Sequence, residues 1–215
     1  MSGPPCMVFV IDDDPLVRDS IADTIASAGL PVQAFGSTTE FMACPRPDVP
    51  ACLILDVQLP DLSGLDFQSE LTKSGISIPI VFITGHGDIP MSVRAIKAGA
   101  LEFLTKPFRG PEMIDAVRKA LTQDREFREH ESALTELRGR LATLTPRERQ
   151  VLTLVITGLL NKQIGGELGA SELTIKAHRG RVMRKMRADS LADLVRMAEK
   201  LSIHPHTPEH PTKVE

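Results

Sequence analysis

The sequence predicts two folds in succession: a doubly wound α/β domain of five βα units, then an all-α domain of four helices, with a helical linker between them. Five short apolar runs that lack polar alternation, separated by segments of helical period, predict a parallel sheet buried on both faces. Four helical segments with local start and stop signals after Thr145 predict the second domain. Charge changes with them. Residues 1–121 hold 15 acids and 9 bases, a net −6, whereas residues 144–203 hold 6 acids and 11 bases, a net +5.

In order, Met7–Ile11 is the first strand and stops at Asp12. Leu16, Val17, Ile21, Ile25 and Ala28 then recur at helical spacing, with Asp14-Pro15 as N-cap and first helical residue and Gly29 as the stop. Pro31–Phe35 is the second strand, and Ser37 caps a short helix through Cys44. Ala51–Leu55 is the third strand, ending at Asp56, and Leu65–Leu71 is helix. Ile78–Ile83 is the fourth strand, ending at Thr84, with Ile89–Ala98 as its helix. Leu101–Leu104 and Pro111–Leu121 complete the five units. The first domain is placed at 1–121.

Residues 122–143 form the linker, a helix mixing Asp, Glu and Arg in which Leu134, Leu137 and Leu141 sit at i, i+3 and i+7. That row reads equally as a short dimer seam or as part of a solvated helix. The second domain, 144–203, begins with Thr145-Pro146, an N-cap followed by Pro at N1. Helices are expected over 147–157, 161–168, 172–186 and 190–201. The tail, 204–215, is interrupted by Pro205, Pro208 and Pro211 and is expected to be disordered.

Several function classes are excluded early. No apolar run approaches the ~18 residues of a membrane span. The first residues lack a basic region followed by an apolar stretch, so no signal peptide is expected and the location is expected to be cytoplasmic. Cys6, Cys44 and Cys52 give neither a disulfide framework nor a zinc spacing. The chain has no Trp and no Tyr, which argues against stacking on single-stranded nucleic acid.

In an open α/β sheet, ligands bind beyond the carboxyl ends of the strands. Asp12 and Asp13, Asp56, Thr84 and Lys106 all fall there. Three carboxylates make a hard oxygen site suited to Mg²⁺. A lysine and a hydroxyl supply the donors a transferring phosphoryl group needs. Asp56, on the central strand, is the expected nucleophile and would form an aspartyl phosphate. An aspartate-based phosphatase would need a second Asp two residues on as general acid, and that position is Gln58.

In the second domain, Ser171 caps the helix 172–186. With ~100° per residue, Ile175, Val182 and Met186 share a buried face. Lys176, Ala177, Gly180, Arg181 and Arg184 lie on the opposite side. Small residues there allow close approach to base edges and thymine methyls, and the cations reach guanine or phosphate. Arg179 lies near the buried side and is expected to pair with an acid such as Glu148 or to snorkel. The preceding helix, Asn161–Leu168, is joined through Gly169-Ala170, which makes a helix-turn-helix.

Ile11-Asp12-Asp13-Asp14, Leu55-Asp56-Val57-Gln58-Leu59-Pro60-Asp61-Leu62-Ser63-Gly64, Ile83-Thr84-Gly85-His86 and Phe103-Leu104-Thr105-Lys106-Pro107-Phe108 resemble the motifs of bacterial receiver domains. Leu144–Leu152, Gly158–Ile164 and Thr174–Arg179 resemble the LuxR-type output domain. Together they resemble the NarL/FixJ family of two-component response regulators, on the FixJ-like branch that includes the styrene-catabolism regulators. The resemblance implies that Asp56 is the phosphoacceptor, that Asp12, Asp13, Asp56 and the Gln58 carbonyl hold Mg²⁺, and that Thr84 and Lys106 bind the phosphoryl oxygens. It implies that Phe103 is a switch residue and that Lys106-Pro107 is cis. It further implies a histidine kinase as phosphoryl donor, homodimerisation on phosphorylation through the face of the fourth helix, fifth strand and fifth helix, binding to promoter DNA, and RNA polymerase as downstream partner. No classical enzyme activity is expected. The rival class, a receiver whose helical module binds protein, is opposed by the basic face of 176–184. One departure concerns Gly165-Gly166, where the family usually has Ala first. Two helix-interior glycines cost about 1 kcal/mol each relative to Ala, which predicts a weaker output domain.

Overall fold

The computed structural model describes residues 5–60, 62–85 and 99–204. The chain divides into two compact units, Met1–Glu129 and His130–Glu215. The helix expected at Ile89–Ala98 and the tail from 205 lie outside the described residues.

The first unit is built from β1 (Met7–Ile11), α1 (Pro15–Ser27), β2 (Val32–Phe35), α2 (Thr38–Ala43), β3 (Ala51–Asp56), α3 (Gly64–Lys73), β4 (Ile80–Thr84), β5 (Glu102–Thr105) and the start of α4 (Gly110–Ala142). Its five strands are parallel in the order β2-β1-β3-β4-β5. The winding reverses between β1 and β3, and that switch point opens a crevice at their carboxyl ends. Alternate residues of the central strands feed two cores. Val8, Val10, Cys52 and Ile54 meet Ile21 and Ile25 of α1 and Met113 and Val117 of α4. Phe9, Ile11, Leu53 and Leu55 meet Phe41 of α2 and Phe67 and Leu71 of α3. Phe41 packs edge-on against Phe9, Phe35 and Phe67, with ring centroids 5.4, 5.6 and 6.1 Å away. All six residues of β3 are buried, which explains the unbroken apolar run Ala51–Leu55 that leads to Asp56.

Local chemistry fixes the ends. Asp14 accepts hydrogen bonds from the N–H groups of Leu16 and Val17, with Pro15 inside the first turn. Ser37 accepts from the N–H of Glu40. Helix α4 runs without a break past Leu121. Within this unit the Asp124 carboxylate, buried, accepts 2.8 Å from the N–H of Ala51 and 2.6 Å from Arg128 Nε, while Arg128 Nη1 reaches Asp48 at 2.6 Å.

The second unit contains the end of α4, then α5 (Pro146–Val155), α6 (Asn161–Leu168), α7 (Glu172–Met186) and α8 (Leu191–Lys200). Its core joins Val151, Leu152, Val155, Ile164, Ile175, Val182, Met186 and Leu194. Leu137 is buried in that same core and Leu141 packs against it, so within this unit the row read as seam or solvated face serves the domain itself. Thr145 and Glu148 form a reciprocal capping box at the start of α5.

The adjacent glycines of α6 differ. A Cβ on Gly166 would meet nothing within 4 Å, but one on Gly165 would stand 2.6 Å from the carbonyl oxygen of Ala170. The expectation that both merely weaken the helix therefore holds for Gly166 alone. Gly165 lets the turn at Gly169 (φ +61°) fold back closely, and Ala170 N–H donates to the Gly165 carbonyl at 2.9 Å.

Candidate functional site

The crevice of the first unit collects carboxylates from two strand ends. Asp12 follows β1 and is fully buried, and Asp56, the last residue of β3, is 5% exposed. Carboxylate oxygens of Asp12, exposed Asp13 and Asp56 lie within 4.8 Å of one another. Lys106, just past β5, donates from Nζ to Asp12 Oδ2 at 2.8 Å and to Asp56 Oδ2 at 2.6 Å. The other oxygen of Asp56 accepts 2.8 Å from the N–H of Gln58. Thr84, the last residue of β4, is fully buried, and its carbonyl accepts 2.7 Å from Lys106 N–H. Phe103 is half-buried on β5, in register with Phe82 of β4. The Lys106-Pro107 peptide is cis.

Gly64 explains how the loop after Asp56 can lie so close. A Cβ there would fall 2.5 Å from the Asp56 carbonyl oxygen. Gly64 N–H instead donates to the Val57 carbonyl at 3.0 Å. The glycine was visible in the motif, but its role depends on this contact.

The electrostatics suit a further cation. Burial raises the Asp12 carboxyl above its usual range, and Lys106 offsets this only in part. Burial works against the Lys106 ammonium, but its bonds to Asp12 and Asp56 outweigh that and raise its pKa. Three carboxylates thus stand together with one lysine, which bonds to two of them. The donor set is all oxygen, and Asp13 keeps one side open to solvent, which fits a hard, partly hydrated divalent cation. Elsewhere in this unit burial pushes the Cys52 thiol up, so it stays protonated and packs as a small apolar group.

In the second unit, Ser171 accepts 3.1 Å from Thr174 N–H and starts α7. Ile175, Val182 and Met186 are fully buried, while Lys176, Ala177, Gly180, Arg181 and Arg184 are exposed. A Cβ on Gly180 would meet nothing within 4 Å, so the fold itself does not demand glycine there. The expected Arg179–Glu148 pair is not formed. Arg179 Nη1 donates to Asn161 Oδ1 at 3.3 Å, and buried Glu148 accepts 2.6 Å from Lys185 Nζ. Lys185 sits nearly two turns beyond Arg179 and is better placed over the start of α5, where it also donates to the Thr143 carbonyl at 2.9 Å. The Lys185 hydrogen bond, helped by Thr145 N–H, holds the Glu148 carboxyl down at about 2. Arg140 Nη1 donates 3.2 Å to the Met186 carbonyl at the end of α7. Among the described residues no helix is long and apolar enough to cross a membrane.

Residues 8–118 match the family model of the response regulator receiver domain, and residues 142–198 match that of the bacterial regulatory proteins of the luxR family. The chain is 55% identical over 197 residues to nodulation protein W of Bradyrhizobium diazoefficiens, covering 92% of this chain and 87% of that protein. It is 42% identical over 205 residues to the transcriptional regulatory protein FixJ of Azorhizobium caulinodans, covering 95% and 97%. The solved structure of the response regulator StyR superposes with a TM-score of 0.82 at 47% identity, covering 91% of this chain and 98% of that one.

Proposed function

The chain belongs to the NarL/FixJ family of two-component response regulators, a receiver joined to a LuxR-type DNA-binding domain, and from that premise we propose that its switch is phosphorylation of Asp56. Members of this family are transcriptional regulators and not enzymes in the classical sense. In this reading the receiver occupies 1–121, the linker 122–143 and the output domain 144–203, and the protein works in the cytoplasm.

The observation that carries the proposal is the Asp56 carboxylate. It sits at the end of the central strand with one oxygen on Lys106 and the other on Gln58 N–H, beside Asp12 and Asp13. An Asp56 oxygen attacks the phosphorus of a kinase phosphohistidine. The P–O bond forms as the P–N bond breaks, and the imidazole leaves. Mg²⁺, held by Asp12, Asp13, Asp56 and the Gln58 carbonyl, would supply charge neutralisation of the phosphoryl oxygens. Lys106 and the Thr84 hydroxyl donate to those oxygens. Thr84 moves toward them, and Phe103 turns into the space behind it. Homodimerisation follows, and two output domains then address inverted half-sites through Lys176, Ala177, Gly180, Arg181 and Arg184, with RNA polymerase downstream.

The test is acetyl phosphate with Mg²⁺. One labelled aspartyl phosphate is expected, absent in Asp56→Asn. Label retained in that variant overturns the assignment. Beryllofluoride should raise the sedimenting mass and give duplex binding that weakens steeply with salt. Binding indifferent to salt would favour a protein-binding output domain.

A further inference from the structure

The basic face of α7 carries one large apolar side chain that the proposed DNA contacts leave out. Leu173 is 77% exposed in the first turn of the helix. At ~100° per residue it lies about 40° from Ala177, about 20° from Gly180 and about 20° from Arg184 around the axis. Ile175, fully buried, lies about 160° away from it, so no part of the core draws Leu173 inward. Leu173, Ala177 and Gly180 form a strip of apolar and small residues running down the helix, with Lys176 and Arg181 to either side and Arg184 one turn past Gly180.

That strip fits one surface chemistry. Its cations call for a polyanion, and the unit's net charge is positive. The helix end that holds Leu173 is the end of a recognition helix that meets base edges. Among the four bases only thymine shows a methyl group in the major groove, and apolar side chains contact it. Resting on the DNA-binding reading above, we propose that Leu173 is a specificity-determining residue that packs against one thymine methyl in each half-site. Ala177 and Gly180 let the helix come close enough for it to do so. Ser171, which caps the helix through Thr174 N–H, fixes the turn from which Leu173 projects.

The test uses the full chain with beryllofluoride and Mg²⁺, and a duplex selected by it from a random-sequence pool. Each thymine is replaced singly by deoxyuridine, which removes the methyl and nothing else. Wild type is expected to lose about fourfold in affinity at one thymine per half-site, the worth of one buried methyl group. Leu173→Ala is expected to bind the unsubstituted duplex about as weakly as wild type binds the uracil duplex, and to be indifferent to uracil there. Leu173→Met is expected to keep the methyl dependence. If Leu173→Ala shows the same methyl penalty as wild type at every position while binding stays steeply salt-dependent, this inference fails and the DNA face stands. If its effect is instead a change in sedimentation without DNA, with the methyl pattern unmoved, Leu173 belongs to a protein contact and the inference is overturned. If wild type selects no duplex at all, the DNA reading of this helix fails, and the inference with it.

Discussion

Replacing each of the paired glycines of α6 by alanine separately should raise stability at Gly166 and fail to raise it at Gly165. Both positions are helical, and alanine is worth about 1 kcal/mol over glycine in a helix interior. At Gly166 nothing stands within 4 Å of the new Cβ, so Gly166→Ala should keep the full gain. For a domain of this size that raises the melting transition by about 4–8 °C. At Gly165 the Cβ would stand 2.6 Å from the Ala170 carbonyl oxygen. Close C···O contacts sit near 3.3 Å, so the overlap is roughly 0.7 Å against backbone that cannot rotate away. Overpacking of this kind costs about 1–3 kcal/mol. Set against the propensity gain, Gly165→Ala should be neutral or about 2 kcal/mol destabilising. It should also open the turn before α7 and weaken duplex binding, which Gly166→Ala should leave alone. Calorimetry of the full chain, following the output domain's transition, measures both. A Gly165→Ala transition raised as far as that of Gly166→Ala would refute the steric reasoning.

Other consequences follow from the same contacts. Lys106→Met removes the donor shared by Asp12 and Asp56, and the rate of labelling by acetyl phosphate should fall on the order of 10²-fold; an unchanged rate would remove Lys106 from the phosphoryl site. Glu148 has a folded pKa of about 2 against an ordinary 4.5, so its contribution to stability is complete above pH 4.5 and lost as pH falls toward 2. The output transition should drop across that window, and Glu148→Gln should flatten the drop; equal slopes in the two proteins would show that the Lys185 pair does not matter. Asp124→Ala leaves the buried Ala51 N–H without its acceptor and should cost the receiver about 1–3 kcal/mol, read as a lower urea midpoint at unchanged slope. A midpoint within error of wild type would mean that water or a neighbour replaces the carboxylate.

What could be read from sequence was what depends on near neighbours or on a general rule of topology. Asp14, Ser37, Thr145 and Ser171 were legible as caps because each binds an N–H two or three residues on. Asp12, Asp56, Thr84 and Lys106 were legible as a group because strand ends in a parallel sheet converge, whatever the intervening sequence. Contacts set by three-dimensional packing were not. The partner of Glu148 turned on which turn of α7 overlies the start of α5. Asp124 looked like one more charge in a polar helix, and only the fold brings it to Ala51. The row Leu134, Leu137 and Leu141 has a periodicity that a dimer seam and a core face share, and burial of Leu137 decides for the core in this unit. For Gly165, residue type gave the helix penalty but not the carbonyl facing it.

Strand β3 is gripped lengthwise by groups that are not its own. Lys106 holds its far end at Asp56, and Asp124 holds its near end at Ala51. Both belong to the stretch that begins after the last strand. A receiver fragment trimmed at Leu121 keeps every strand yet loses the near grip and, with it, the Arg128 tie to Asp48; one carried through Glu129 retains both. Where such a fragment is cut therefore decides whether the strand that ends at Asp56 is braced at both ends or only one.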